Sequence, residues 1–248
     1  MIKLIFGNVG SGKTASVVRS MKYNNHKTII TNIDVKGKDF KHVKKLTSDM
    51  IVKKELIRTK RTGEPIYELS LNVEFWKNLI SKEKQVDIII DEAHNLFNPR
   101  RSMSKVNQIT TDFVALLRRV LGSVDESDGE LVLITQLDRR LDVITKEMAT
   151  NIQYHIHHYT NNCKCGFRWY ENNETADKMK ECPICGNWKI KKQNHLLEVF
   201  YFKDLSLFEN WKNIGDKTYY KRIYIKDIEK IFGNYDTLQW DDLVSDIY

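Results

Sequence analysis

Gly7-Asn8-Val9-Gly10-Ser11-Gly12-Lys13-Thr14 follows the largely apolar run Ile2–Phe6 and keeps the G-x-x-x-x-G-K-[ST] spacing of a phosphate-binding loop. Ile2, Leu4, Ile5 and Phe6 read as a buried strand, and residues 14–21 as the helix behind it, so the motif falls between strand and helix as its mechanism requires. Glycine at 7, 10 and 12 lets the backbone curl until its N–H groups point inward at a polyphosphate. The helix N-terminus adds partial positive charge. Lys13 is expected to reach the outer phosphates of ATP, and the Thr14 hydroxyl to join a Mg²⁺ shell.

The second decisive stretch is Val86-Asp87-Ile88-Ile89-Ile90-Asp91-Glu92-Ala93-His94. So short and β-branched a run reads as a central parallel strand, and it ends in two carboxylates. Open α/β sheets bind ligands at the carboxyl ends of their strands, which places Asp91 and Glu92 in the same crevice as the loop. Asp91 is expected to hold Mg²⁺ and Glu92 to polarise an attacking water. His94 caps the following turn and is given no proton-transfer role. A third buried strand, Leu131–Ile134, ends in Thr135-Gln136, so Gln136 is a candidate sensor of the γ-phosphate.

The rest of the chain is consistent with one α/β domain and an appendage, the size that 248 residues allow. Residues 28–33 form a β-branched strand, and residues 35–61 are crowded with lysine and arginine, either a solvated surface or a phosphate-tracking face. Ile66, Tyr67, Leu69 and Leu71 predict a short edge strand. Asn72 is the N-cap of a helix with Val73, Trp76 and Ile80 on one face. A long helix over residues 106–121 turns Phe113, Leu116, Leu117 and Val120 inward and carries Arg118 and Arg119 in its last turns. An acidic loop at 122–129 and an alternating strand through Ile152, Tyr154 and Ile156 complete the core.

The 40 basic and 33 acidic residues leave a formal charge of +7, which suits an anionic partner without naming it. The N-terminal apolar run is too short for a secretory signal, and no stretch approaches the roughly 18 apolar residues of a membrane span. A soluble, cytoplasmic protein is expected.

All four cysteines fall in Cys163-Lys164-Cys165-Gly166 and Cys182-Pro183-Ile184-Cys185-Gly186, two knuckles each closed by glycine. Four thiolates suit tetrahedral structural Zn²⁺, with no vacancy for catalysis; a redox pair or disulfides are the other readings. Phe167, Arg168, Trp169, Tyr170, Trp188 and Lys189 then form either the miniature core of a ribbon or a surface for nucleic acid or protein. The apolar segment Leu197-Glu198-Val199-Phe200-Tyr201-Phe202 is expected to return and pair with residues 151–160, putting the knuckles at the tip of a hairpin. The division is then a core at 1–160, a zinc-ribbon insert at 161–190, and a returning strand and tail at 191–248 packed on the core.

The order of loop, Thr31-Asn32-Ile33, Ile90-Asp91-Glu92-Ala93-His94 with Phe97 and Arg100 downstream, an arginine-bearing helix and Leu133-Ile134-Thr135-Gln136-Leu137-Asp138 resembles the zonular occludens toxin-like (Zot) ATPases of filamentous phages. That family lies within the FtsK/HerA group, which includes viral genome-packaging ATPases, and the resemblance covers roughly residues 1–160. It implies a RecA-like P-loop fold with a mostly parallel sheet flanked by helices. It also implies ATP hydrolysis coupled to movement of double-stranded DNA by a homo-oligomeric ring. An arginine of one subunit would reach its neighbour's nucleotide, with Arg118, Arg119, Arg139 and Arg140 as candidates. Phage extrusion proteins carry a membrane anchor after this domain; this sequence has none, which favours a soluble packaging motor in the host cytoplasm, its zinc finger touching capsid or another protein. Thymidine kinases also join a phosphate loop, an Asp-Glu-Ala strand end and a four-cysteine lobe, and a nucleoside kinase is the alternative enzyme. A nucleotide-bound, non-hydrolysing scaffold is the third reading.

Overall fold

The computed structural model describes residues 1–83, 85–97, 105–121, 129–136, 141, 143–172 and 181–236. In chain order the central elements are β1 (Ile2–Phe6), α1 (Lys13–Tyr23), β2 (Thr28–Thr31), β3 (Val43–Lys45) and α2 (Ser48–Ile51). Then come β4 (Val52–Thr59), β5 (Pro65–Leu71), α3 (Val73–Lys82), β6 (Val86–Ile90), α4 (Lys105–Leu121), β7 (Leu131–Ile134) and α5 (Val143–Glu147). The chain ends in β8 (Asn151–Asn162), β9 (Arg168–Asn172), β10 (Lys191–Phe202), α6 (Leu205–Ile214) and β11 (Lys221–Lys226), followed by a 3-10 segment, Ile228–Asn234.

One sheet runs in the order β11-β10-β8-β1-β7-β6-β2-β3, with β9 paired to β8 off this path. From β8 to β3 every pairing is parallel, while β10 and β11 add on antiparallel. β1, β7 and β6 lie inside the sheet, which is why they read as near-continuous apolar runs; all five residues of β6 are buried. Leu4, Phe6, Ile88 and Ile90 face a core closed by α3, α4 and α6, around Trp76, Phe113 and Phe208. Ile5, Ile89 and Val132 face a second core beneath α1 and the 3-10 segment, around Val18, Met21 and Ile231.

Helix starts follow their caps. The Asn72 side chain accepts a hydrogen bond from the Phe75 amide, and Trp76 and Ile80 are buried one turn and two turns on. Asp204 caps α6 through the Leu207 amide, and that helix stacks Phe208 on Phe6 with ring centroids 5.2 Å apart. Phe208 of this helix and Ile228 and Ile231 of the 3-10 segment are buried in the two cores.

The segment 66–71 is a strand as expected, and β5 pairs with β4 in an antiparallel ribbon separate from the central sheet. β4 arises within the lysine-rich stretch, and seven of its eight residues are exposed. With neither face buried, no alternation marks it as a strand in the sequence. The acidic residues 124–128 and Arg100 lie outside the described residues.

Candidate nucleotide site

The loop between β1 and α1 is shaped by three glycines with positive φ, of which Gly7 and Gly12 are also packed from behind. A Cβ on Gly7 would come within 2.4 Å of Ser11 Oγ and 2.7 Å of the His155 carbonyl oxygen, so only glycine lets β8 run this close. Gly12 is left-handed at the N-cap of α1, and a Cβ there would meet Leu197 at 3.2 Å. Lys13 opens the helix and is 7% exposed. Its Nζ donates to the carbonyl oxygens of Gly7 at 2.8 Å and Asn8 at 3.0 Å. Burial pushes the Lys13 ammonium below its ordinary range, while Asp91 and Glu92 pull the other way. Val9 stands exposed at the loop tip, and Ser11 is buried.

Strand order brings the remaining groups to this loop. β7 separates β1 from β6, and β2 lies beyond β6, so the C-terminal ends of all four strands open on one crevice. Thr14 Oγ1 donates to Asp91 Oδ2 at 2.7 Å. Two hard oxygen donors meeting at the mouth of a phosphate loop fit Mg²⁺, which takes few protein ligands and keeps water and phosphate oxygens. Desolvation raises the Asp91 carboxyl above its ordinary range, opposed first by the Thr14 hydrogen bond. Asn32, just past β2, clamps Asp91 from both sides: its Oδ1 accepts from the Asp91 amide at 2.8 Å and its Nδ2 donates to the Asp91 carbonyl at 2.9 Å.

Glu92 has left-handed backbone angles, φ 50° and ψ 42°, uncommon outside glycine. Gln136 Nε2 donates to Glu92 Oε1 at 2.8 Å. The other oxygen, Oε2, lies 3.2 Å from His94 Nδ1, outside hydrogen-bonding geometry, and the same ring nitrogen is 3.3 Å from Thr135 Oγ1. Lys13, Thr14, Asp91, Glu92 and Gln136 are thus brought together.

Arg118 and Arg119 are not. They are exposed on the last turns of α4, which crosses from the end of β6 back to the start of β7. That crossover carries them to the opposite end of the strands from the loop of their own chain. Arg139 and Arg140 lie outside the described residues.

Asn32 and His94 are the site residues to which sequence reasoning gave no part in the chemistry. Asn32 does carry the signal used for Gln136, a polar residue just past a buried strand. His94 carries only adjacency to two acids.

At the far end of β8 and β10, which run unbroken from the sheet into the finger, the four cysteine sulfurs lie within 4.8 Å of one another. Cys163 and Cys185 sulfurs are 3.5 Å apart and those of Cys165 and Cys182 are 3.7 Å apart. Tetrahedral Zn–S bonds of about 2.3 Å require S···S separations of about 3.8 Å, so the cluster is compatible with zinc. Each knuckle closes through a left-handed glycine: Gly166 N donates to Cys163 O at 3.0 Å, and Gly186 N to Cys182 O at 2.9 Å.

The family model for the zonular occludens toxin (Zot) matches residues 1–198. Among solved structures, the N-terminal domain of zonular occludens toxin from Neisseria meningitidis is similar with a TM-score of 0.50 and 16% identity, over 95% of this chain and 98% of that one. The genome packaging NTPase B204 from Sulfolobus turreted icosahedral virus 2, in complex with ATP-gammaS, aligns with a TM-score of 0.33 and 17% identity, over 62% of this chain and 72% of that one. No curated protein matches the chain. The fold is that of an α/β P-loop NTPase, with a mostly parallel sheet flanked by helices. Among the described residues no helix is long and apolar enough to cross a membrane.

Proposed function

The chain belongs to the zonular occludens toxin (Zot) family, and from that premise we propose that it is an ATP-hydrolysing motor that moves double-stranded DNA as a homo-oligomeric ring, in the manner of phage or viral genome packaging. The observation that carries the reading is the meeting of Thr14 with Asp91 at 2.7 Å and of Gln136 with Glu92 at 2.8 Å beside one phosphate loop. Residues that only bound nucleotide would not need the second pair.

In this mechanism the amides of residues 7–14 and the Lys13 ammonium cradle the phosphates; Thr14 and Asp91 would hold Mg²⁺, which would supply positive charge against the phosphates. Asn32 fixes the Asp91 backbone. Glu92 orients the attacking water, and Gln136 holds Glu92 while lying next to the γ-phosphate position. Positioning and charge stabilisation supply the acceleration, as phosphoryl transfer needs little covalent help from protein. The location of Arg118 and Arg119 gives them no part in their own chain's site, so either acts only across a subunit interface.

The core is 1–160, the zinc-ribbon finger 161–190 and the tail 191–248. Cys163, Cys165, Cys182 and Cys185 hold structural Zn²⁺, and the finger, with Trp188 and Ile184 exposed at its tip, contacts capsid or another protein. The β4–β5 ribbon, carrying Lys53, Lys54 and Arg58 with Lys60 and Arg61 at its turn, is a surface for the DNA backbone. Family membership weighs against a nucleoside kinase.

The test is ATP hydrolysis with and without double-stranded DNA across a salt series, with native mass measured on the same sample. DNA is expected to stimulate the rate, less so at high salt. Lys13→Ala should lose nucleotide binding, while Glu92→Gln should bind ATP without turning it over. Stimulation by a nucleoside in place of DNA would replace the motor with a kinase.

A further inference from the structure

The groups assigned so far account for the phosphate end of a nucleotide and leave its nucleoside end without a partner. Asp91, Glu92 and Gln136 all come from β6 and β7, on one side of β1. On the proposed mechanism the terminal phosphate points to that side, which sends the nucleoside out of the loop towards the other.

That other side is walled by β8 and β10. The pairing of β1 with β8 ends at Phe6 and Tyr154, and β8 continues past it beside the loop. Its next residues pack directly on the glycine turns: the His155 carbonyl lies behind Gly7, Leu197 of β10 lies behind Gly12, and the His157 ring lies beside the Gly10 backbone. The His157 and His195 rings lie within 15° of parallel with centroids 4.9 Å apart, and are joined edge to edge at 2.9 Å through Nε2 and Nδ1. Phe232 sets its ring edge-on to both, 6.5 Å from His157 and 5.5 Å from His195, and is 40% exposed.

The segment carrying Phe232 is anchored at both ends. Asp227 N donates to His195 O at 3.1 Å, Ile228 and Ile231 are buried in the core beneath α1, and Lys36 N donates to Asn234 O at 2.6 Å. From the rim of β10 it therefore reaches the rim of β2, where Val35 bridges Tyr235. Burial, and then the neighbouring His195, holds the His157 imidazole down to about 4, so at neutral pH it is an uncharged aromatic surface.

We propose that His195 and Phe232, backed by His157, form the stacking site for the nucleobase of the bound nucleotide. The inference rests on the phosphate-site reading above and extends it to the base. Stacking uses the π-face that every base presents, so the site should take adenine and guanine nucleotides with similar affinity.

The test measures binding of Mg-ATP and of Mg-tripolyphosphate, which lacks the nucleoside, by calorimetry on the full chain. Phe232→Ala and His195→Ala are each expected to weaken ATP about 5- to 150-fold, the range of losing one base–aromatic stack, and to leave tripolyphosphate unchanged. Phe232→Trp should restore ATP binding and report it through indole fluorescence. Unchanged ATP affinity in both alanine variants overturns the proposal. Equal weakening of ATP and tripolyphosphate also overturns it, since the cluster would then only support the loop. Wild-type protein that binds tripolyphosphate as tightly as ATP rejects the base site alone; protein that binds neither rejects the phosphate site itself.

Discussion

Replacing Gln136 by Leu keeps the side-chain volume and removes the amide that donates to Glu92 Oε1 at 2.8 Å. A hydrogen bond to an ionised partner contributes about 1.5–3 kcal/mol. Among the described residues the carboxylate would then keep His94 at 3.2 Å, a contact outside hydrogen-bonding geometry. If that energy is lost from the transition state alone, kcat falls roughly 10- to 150-fold. The affinity for ATP should hold, because on the proposed mechanism Glu92 acts on the water rather than the nucleotide and Lys13, Thr14 and Asp91 are untouched. Gln136→Glu should do at least as much harm, since it sets a like charge against Glu92. The assay is steady-state phosphate release paired with calorimetric nucleotide binding. A Leu variant that keeps kcat within twofold, or whose ATP affinity drops in step with its rate, would refute the reasoning.

Three further outcomes are expected. Asn32→Ala removes both hydrogen bonds to the Asp91 backbone; the Mg²⁺ concentration giving half-maximal hydrolysis should rise several-fold while metal-free nucleotide binding stays put, and an unchanged Mg²⁺ dependence would count against the clamp. Purified protein should carry one zinc per chain, and Cys182→Ser should lose it and expose residues 163–172 and 181–190 to hydrogen exchange; four freely reactive thiols and no zinc in the wild type would reject the site. The His155 imidazole is held down to about 3 by burial and then by Lys13, well below its ordinary 6.5. Its folded value is depressed, so the stability it contributes is present above pH 6.5 and is lost as pH falls towards 3, about 2 kcal/mol of it between pH 7 and pH 5. Urea unfolding at both pH values should show His155→Gln losing less stability than the wild type on acidification; equal losses would mean the ring is not buried neutral.

What the sequence made legible is what depends on local spacing. The glycines of the loop, the helix behind it, the acidic end of β6, the Asn72 cap and the cysteine knuckles are each written within fewer than ten consecutive residues, and each is found in place. The partner strand of β5, β4, was missed because it buries neither face and so leaves no periodicity to read. Contacts across the sheet were hidden for a different reason. Asn32 and Asp91 are 59 residues apart and Gln136 and Glu92 are 44 apart. Whether such pairs meet depends on the order of strands, which no single strand encodes.

The expectation that Asp91 and Glu92 face one crevice raises a problem of its own. Successive side chains of an extended strand point to opposite faces, so continuing β6 through residue 92 would send Glu92 away from Asp91. The left-handed backbone at Glu92 breaks that alternation. A non-glycine residue held there costs on the order of 1–3 kcal/mol and persists only where its surroundings over-determine it. Here they do: Asp91 Oδ1 accepts from the Glu92 amide at 2.8 Å, the Asn95 amide donates to the Glu92 carbonyl at 2.9 Å, and Gln136 holds the side chain. Glycine would relax the backbone but remove the carboxylate, and an extended Glu92 would keep the carboxylate but aim it elsewhere. Strain at this residue is therefore the cost of presenting both acids to one phosphate loop, and the strand order that sets Gln136 beside Glu92 is what holds the turn in place.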